Sequence, residues 1–297
     1  MNESNMATDK DTTRAAFVLV SPAIVLLLVL NIFPIIYAAF ISSHHWTLAS
    51  PRPARFAGMF NYQELLIDDR FGNAIWTSAQ FITLAVGIEL LLGLGLAFVF
   101  NAKTRFLEAL RKLSLLPVMA TPLVVGLVWF YMLNENFGVT NWFVTELGFS
   151  RQPFLTDRTL AMASLILTDV WQWTPFVTLI IFAALQSLPE YVFEAARMDG
   201  LNERQIFWRI TLRLLWPTIL VVLVIRVIDA FRMIELVFMM TKGGPAGATE
   251  VLPWYLYSTG FLSLDLGYAA AMAIVMIIVV TILSQVLVRK IANPESR

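Results

Sequence analysis

Six long apolar segments divide this chain of 297 residues. They cover residues 15–41, 74–100, 113–133, 160–184, 214–240 and 268–289. Each has the length of about 20 helical residues that crossing the hydrocarbon core of a bilayer requires. Because 58% of the residues are hydrophobic and only 14% are charged, a soluble fold of this size would lack the polar surface to cover its core. The pattern therefore predicts an all-α integral membrane protein with six transmembrane helices.

Composition also excludes several kinds of chemistry. The chain has no cysteine, which excludes disulfides, thiolate metal sites and cysteine nucleophiles. Its formal net charge is zero, so bulk charge gives no argument for binding nucleic acid. The only two histidines, His44 and His45, are adjacent and lie outside the apolar segments. Such a pair is more often solvated or interfacial than metal-binding, and we predict no metal site.

Loop charge predicts the orientation of the helices. With the N-terminus in the cytosol, the inner segments carry thirteen Lys and Arg residues and the outer segments carry six. Cytosolic loops of membrane proteins are enriched in these residues. We therefore expect both termini in the cytosol, with a tail at residues 1–14, a six-helix transmembrane domain at 15–289 and a second tail at 290–297.

A charged stretch with one glycine joins the fourth and fifth segments. Ser187 and Glu190 have the spacing of a capping box, which predicts the start of a short helix. Gly200 predicts its end, because glycine readily adopts the left-handed conformation found there. Asn202 then starts a second short helix. The residues alone leave two interpretations open: a surface loop against the membrane, or a docking element for a soluble partner.

Two motifs resemble those of a known family. The sequence EAARMDG at 194–200, followed by Phe207, Ile210–Leu212 and Pro217, resembles the EAA loop of membrane subunits in binding-protein-dependent ABC importers. Leu201 and Arg213 depart from the alanine and proline that are usual in the family.

The second motif narrows the resemblance to the carbohydrate importers, the MalF/UgpA-like sugar permeases. It consists of DAF at 229–231, TKGGP at 241–245, Thr249 and GYAAA at 267–271. The order and the topological places of both motifs agree with those of the family, and the resemblance covers essentially the whole chain.

This resemblance implies the type I ABC importer permease fold, with residues 187–213 as a cytosolic helix–turn–helix coupling loop. It implies four partners: a second homologous permease, two copies of an ABC ATPase, and an extracytoplasmic sugar-binding protein. The family places such proteins in the bacterial or archaeal cytoplasmic membrane. The residues that it implies for ATPase coupling are Glu194, Ala195, Ala196, Asp199, Gly200 and Phe207.

The chain has no G-x-x-x-x-G-K-[ST] run, so it carries no phosphate loop of its own. The resemblance therefore implies a transport subunit that is not an enzyme and has no cofactor, with ATP and Mg²⁺ bound by the partner ATPase. This subunit would form half of the translocation path of an ATP-driven sugar importer. A neutral disaccharide, glycoside or polyol is the favoured cargo, and an anionic sugar derivative is the alternative.

Four charged residues, Arg226, Asp229, Arg232 and Glu235, alternate in sign at steps of three along the fifth segment. A charge at mid-bilayer costs about 2.5–3.5 kcal/mol, so these side chains must face protein or water. Two interpretations are open: an ion-pair ladder that locks helices together, or one wall of a polar cavity. Glu89 in the second segment has no predicted role.

The sequence DVWQWTPF at 169–176 in the fourth segment combines aromatic rings, an amide and a carboxylate. Sugar hydroxyls need hydrogen-bond partners and sugar C–H faces pack on rings, whereas tryptophans can also belong to an interfacial belt. Resemblance to the maltose permease of the family implies that the substrate-binding residues are Asp169, Gln172, Trp173, Phe176, Arg226, Asp229, Ala230 and Met233.

Two other functional classes fit the composition less well. A stand-alone ion-coupled secondary transporter would need no docking loop. A membrane enzyme would need reactive side chains in its loops, and these loops hold no clustered carboxylates and no metal motif.

Overall fold

The computed structural model describes residues 19–50, 52–102 and 104–292. The predicted tail at 1–14 and most of the tail at 290–297 lie outside this range, so their location stays a prediction. The elements follow one another along the chain as α1 Leu19–Ser42, β1 His44–His45, β2 Arg55–Phe56, α2 Phe60–Ile67, α3 Asp69–Phe100, α4 Arg105–Ser114, α5 Leu116–Met119, α6 Pro122–Leu133, α7 Val139–Glu146, α8 Arg158–Gln186, α9 Glu190–Met198, α10 Glu203–Ile206, α11 Leu212–Phe231, α12 Glu235–Met240, α13 Leu252–Tyr257 and α14 Leu266–Ala292.

Among the described residues, wider π-helical turns occur at three places, Leu28–Ile32 within α1, Phe207–Thr211 between α10 and α11, and Ser258–Leu262 after α13. The chain forms two compact units. One contains the described residues up to 67 together with 256–277, and the other contains 68–255 together with those from 278 onward.

The first unit is held together by a small network of backbone and side-chain hydrogen bonds. Its two strands pair antiparallel, with His44 opposite Phe56. The buried Asn61 on α2 donates from its amide nitrogen to the carbonyl oxygens of Ser42 and His44, at 2.8 and 3.0 Å. The backbone amide of Leu266 donates to the carbonyl of Trp46 at 2.9 Å, which joins the start of α14 to the residue that follows β1.

Packing in the second unit centres on α3, α8 and α11. Their apolar side chains form one buried cluster, which consists of Ala97, Phe100, Val177, Ile181, Phe182, Leu185, Leu215 and Val222. Gly93 and Ala97 lie four residues apart on α3, where small side chains let two helix backbones approach closely. A Cβ on Gly93 would lie 2.5 Å from Cγ1 of Val177 and 3.2 Å from the backbone nitrogen of Thr178.

The number of membrane-crossing helices agrees with the sequence prediction in part. Within the described residues, five helical stretches are long and apolar enough to cross a bilayer: Leu19–Ser42, Asp69–Phe100, Arg158–Gln186, Glu203–Met240 and Leu266–Arg289. They overlap five of the six predicted segments. The sixth candidate is a bent pair of helices, Arg105–Met119 and Pro122–Leu133.

The prediction of one continuous helix at 113–133 is wrong. The two parts of the bent pair meet at 97°. Ala120 and Thr121 have extended backbones, with ψ of 141° and 139°. For Thr121 the reason is Pro122, because the residue before a proline avoids the helical conformation. The 12 residues of α6 span only about 18 Å, so α6 alone is shorter than the hydrocarbon core.

The motif TKGGP forms a tight loop after α12. Gly243 has φ of +80°, and a Cβ there would lie 2.5 Å from Nε1 of Trp254, so only glycine fits. Glu250, at the end of the loop, accepts two hydrogen bonds from the guanidinium of Arg70, at 2.7 and 2.9 Å. This bidentate pair joins the loop to the first turn of α3.

We expect Gly93→Ala to destabilise the second unit by about 1–3 kcal/mol, because the added methyl group forces Val177 or the backbone of Thr178 to move. Gly95→Ala is the matched control, since a Cβ there meets nothing within 4 Å. Thermal unfolding in detergent measures both. A melting temperature for Gly93→Ala equal to that of Gly95→Ala would contradict the close approach of α3 and α8.

Candidate functional site

The guanidinium of Arg226 lies inside the second unit, on α11, and its side chain is 1% exposed. Its Nε and Nη2 donate to the two carboxylate oxygens of Glu89 on α3, at 2.7 and 2.9 Å. Such a two-point arrangement is among the stronger hydrogen-bonded ion pairs in proteins. Glu89, which had no predicted role, is therefore the principal counter-charge of Arg226.

Two more carboxylates complete what we call the Arg226 cluster, namely Arg226, Glu89, Asp169 and Asp229. Nη2 of Arg226 donates to Asp169 on α8 at 2.8 Å, and Nη1 donates to Asp229 on α11 at 2.7 Å. Glu89 and Asp169 are buried, whereas the side chain of Asp229 is 41% exposed. The cluster thus connects three helices and ends at an accessible carboxylate.

A cavity of about 260 Å³ adjoins the Arg226 cluster. Its lining residues are Pro122, Asp169, Gln172, Trp173, Asp229, Arg232, Met233, Glu235 and Leu236. The guanidinium carbon of Arg226 lies 4.7 Å from the ring centre of Trp173, in the geometry of a cation–π contact. Trp173 therefore forms a wall of the cavity whose position is fixed by the buried cation.

Gln172 is nearly fully buried in the same wall. Its Nε2 donates to the carbonyl oxygen of Ala120 at 3.1 Å, which connects α8 to the extended break before α6. Within the described part of the chain, its Oε1 has no hydrogen-bond partner. A buried acceptor without a partner is uncommon in native structures, and here it belongs to a residue that lines a cavity.

A break in the long helical stretch Glu203–Met240 lies beside the cavity. The amides of Arg232 and Met233 bond to the carbonyls three residues back, at Asp229 and Ala230, instead of four. Helix α11 consequently ends at Phe231, and α12 begins at Glu235. Asp229, Arg232, Met233 and Leu236 would share one face even of an unbroken helix, whereas Glu235 would lie about 120° away from Asp229, so the break accounts for the presence of Glu235 in the lining.

The structure divides the eight predicted substrate-binding residues into two groups. Five of them line the cavity: Asp169, Gln172, Trp173, Asp229 and Met233. The other three do not. Arg226 lies beside the lining, Ala230 is buried, and Phe176 contacts the ring of Trp173 and packs on the buried cluster.

The interpretation of the four charges as one regular ladder is only partly correct. Arg226 and Asp229 pair closely, but Arg232 and Asp229 are 3.9 Å apart. Glu235 accepts from the amide of Ile234 at the start of α12. The cavity also includes Pro122 and Leu236, which the sequence did not indicate. A lone acid within a membrane helix was the available signal for Glu89, since such a group requires a buried cation.

The charged loop between α8 and α11 forms the predicted helix–turn–helix. Helices α9 and α10 are separated by Gly200, which has φ of +80°. Asn202 and Gln205 form a capping box at the start of α10. The predicted cap at Ser187 is wrong, because α8 continues to Gln186 and the hydroxyl of Ser187 donates to the carbonyl of Ala184. Pro189 occupies the cap position of α9 instead.

The six residues assigned to this loop by resemblance differ in exposure. Four are exposed on its outer side: Glu194, Ala195, Asp199 and Gly200. Ala196 is buried, and the ring of Phe207 makes an edge contact with Phe98 on α3, with 5.1 Å between ring centres. The loop is therefore anchored on the helix bundle on one side and open on the other.

The model of the family described as "Binding-protein-dependent transport system inner membrane component" matches residues 89–293. The chain belongs to this family. The match includes the Arg226 cluster, the cavity and the helix–turn–helix loop. The chain is thus a membrane permease subunit of an ABC importer, and a stand-alone secondary transporter does not agree with this family.

Curated relatives are similar over nearly their whole length. The sulfoquinovosyl glycerol transport system permease protein of Agrobacterium fabrum is 35% identical over 88% of this chain and 85% of its own. The trehalose/maltose transport system permease protein of Thermococcus litoralis is 31% identical over 90% of both chains.

A chain in the crystal structure of a bacterial alginate ABC transporter in complex with an alginate pentasaccharide-bound periplasmic protein superimposes on this permease. The TM-score is 0.83 with 21% identity, over 95% of this chain and 96% of the other. The likeness shows the fold, and the predicted type I importer permease fold is confirmed.

We expect Arg226→Met to destabilise the permease by about 3–5 kcal/mol, because it leaves buried carboxylates without their counter-charge. Arg232→Met is the matched control. The side chain of Arg232 is 65% exposed and only 3.9 Å from Asp229, so its loss should change stability by about 1 kcal/mol or less. The stability of both variants is measured by the yield of monodisperse protein and by the melting temperature in detergent. Equal values for the two variants would contradict the stabilising role of the Arg226 cluster.

Proposed function

We propose that this permease forms one half of the translocation path of an ATP-driven carbohydrate importer, and that the cavity beside the Arg226 cluster contacts the cargo. The observation that carries this proposal is the wall formed by Gln172 and Trp173. It holds an aromatic ring fixed by the buried cation and, just behind the surface of the same lining, a buried amide oxygen that has no partner among the described residues. These are the two kinds of group that a sugar needs, one for its hydroxyls and one for its C–H face.

The size of the cavity supports a path shared between two subunits. Small-molecule sites usually enclose about 300–1,000 Å³, and this cavity has about 260 Å³. A homologous permease that contributes a similar wall would bring the combined site into that range. The names of the two curated relatives given above, which refer to sulfoquinovosyl glycerol and to trehalose and maltose, agree with a glycoside as cargo.

The proposed assembly is a heterotetrameric core of two permeases and two ABC ATPases, served by an extracytoplasmic sugar-binding protein. The open side of the helix–turn–helix loop, at Glu194, Ala195, Asp199 and Gly200, is the proposed ATPase contact. ATP and Mg²⁺ belong to the ATPase, and this subunit acts without a cofactor or catalysis of its own. The core would lie in a bacterial or archaeal cytoplasmic membrane, with both termini of this chain in the cytosol.

We expect Trp173→Ala to reduce ATP hydrolysis stimulated by the cargo-loaded binding protein about two- to tenfold, because it removes an aromatic contact with the cargo. Trp171→Ala is the matched control. Trp171 is exposed, contacts Trp129 at 5.7 Å between ring centres and is absent from the cavity lining.

The assay uses the assembled complex in nanodiscs, after a ligand screen of the binding protein has identified the cargo. Both variants should assemble, and cargo binding by the isolated binding protein should stay unchanged. An equal loss of stimulated ATP hydrolysis in both variants, or no loss in Trp173→Ala, would contradict the proposal that this wall contacts the cargo.

Coupling through the loop gives a separate prediction. Gly200→Val should strain the turn between α9 and α10, because valine at φ of +80° is highly unfavourable. We expect ATPase docking and ATP-driven uptake to fall sharply while the chain still inserts. Gly200→Asn should retain more activity, since asparagine tolerates this conformation.

Gly148→Val is the control for strain. Gly148 has φ of +85° with no atom near its Cβ position, as Gly200 has, but it lies in the loop between α7 and α8. Co-purification of the ATPase reports docking directly. If Gly148→Val lost as much ATPase as Gly200→Val, the loss would reflect general instability rather than the loop.

A further inference from the structure

We propose that the cavity wall of this permease selects cargo by charge. It carries an excess of negative charge and of hydrogen-bond acceptors, and therefore takes a polyhydroxylated cargo without a negative charge. This inference rests on the proposed function and adds the charge class of the cargo, about which the sequence left two alternatives open.

The buried cation beside the cavity is unable to bind an anion. A guanidinium has five N–H groups, and four hydrogen bonds from Arg226 already go to Glu89, Asp169 and Asp229. The face of the guanidinium lies over the ring of Trp173. Its side chain is 1% exposed, so neither its edge nor its face is available to a phosphate, sulfate or carboxylate in the cavity.

The formal charges beside the cavity leave a negative excess. Among the described residues that line it, Asp169, Asp229 and Glu235 are acidic and Arg232 is the only basic one. Arg226 and its bidentate partner Glu89 cancel. If the buried Asp169 is not counted, Asp229 and Glu235 against Arg232 still leave an excess of one negative charge. An anionic cargo would approach this excess in a site where low dielectric strengthens repulsion.

The hydrogen-bond inventory indicates the same class of cargo. The exposed carboxylate of Asp229 accepts hydrogen bonds but does not donate when it is ionised, and the buried amide oxygen of Gln172 in the same lining has no partner within the described part of the chain. Both oxygens need hydrogen-bond donors, and Arg232 is the only basic side chain among the described lining residues. Hydroxyl groups supply donors without charge, and an ammonium group supplies donors with a complementary charge.

The absence of cysteine from the chain allows a direct measurement of the local charge. Met233→Cys places a single thiol on this chain in the cavity lining, and Leu236→Cys is a second such position. The assembled complex is treated with cationic trimethylammonioethyl methanethiosulfonate, anionic sulfonatoethyl methanethiosulfonate and neutral methyl methanethiosulfonate. Mass spectrometry of this chain gives the rate at which each reagent modifies the introduced thiol. Each rate is divided by the rate of the same reagent with free 2-mercaptoethanol, which corrects for the intrinsic reactivity of the reagent.

In the Met233→Cys variant, we expect the normalised modification rate of the cationic reagent to exceed that of the anionic reagent by roughly tenfold or more. Since both reagents attack the same thiolate, its protonation cancels from the ratio. Adding Asp229→Asn or Glu235→Gln should lower the ratio, and adding Arg232→Gln should raise it. Met59→Cys, on the exposed surface of the other unit, is the reference and should give a ratio near one.

Each other result has a definite meaning. A ratio near or below one at both cavity positions, or a ratio unaffected by Asp229→Asn, would overturn the charge selection. Such a result would leave the proposed function untouched, because that function is tested separately by the comparison of Trp173→Ala with Trp171→Ala.

Discussion

The bidentate pair between Arg226 and Glu89 is the interaction on which the second unit depends. It joins α11 to α3, and the contact with Asp169 adds α8. Ions of this kind are costly to remove from water, and the cost is offset only when hydrogen bonds satisfy nearly every polar atom. Arg226 meets that condition, with Nε, Nη1 and Nη2 all engaged. The same pairing fixes Trp173 beside the cavity, so helix packing and the shape of the wall have a common origin.

Sequence reasoning succeeded where the signal was local. The turn at Gly200 and the cap at Asn202 depend on neighbouring residues, and both were predicted. Apolar length predicted six membrane helices, and five of them correspond to single long helical stretches within the described residues. Ser187 shows the limit of such reasoning, because its capping pattern competes with the continuation of α8, and the packed helix prevails.

Features that depend on distant parts of the chain were not predicted. Glu89 and Arg226 are 137 residues apart, and no periodicity connects them. The bend of 97° before α6 and the break after Phe231 are short interruptions inside apolar segments. The length of an apolar segment does not reveal such interruptions. These interruptions bring Pro122 and Glu235 to one cavity. The individual site residues were therefore largely foreseeable, whereas their arrangement was not.

The division of charges between buried and accessible positions has a consequence for how such permeases diversify. Changes at Glu89 or Arg226 affect folding, because both are buried and share their hydrogen bonds. Arg232 has an accessible side chain beside the same cavity and lies 3.9 Å from Asp229, so exchanging Arg232 alters the local field at little cost to helix packing. Under the proposed function, a gene duplicate can thus change its cargo at an accessible position of this kind while it inherits an unchanged scaffold.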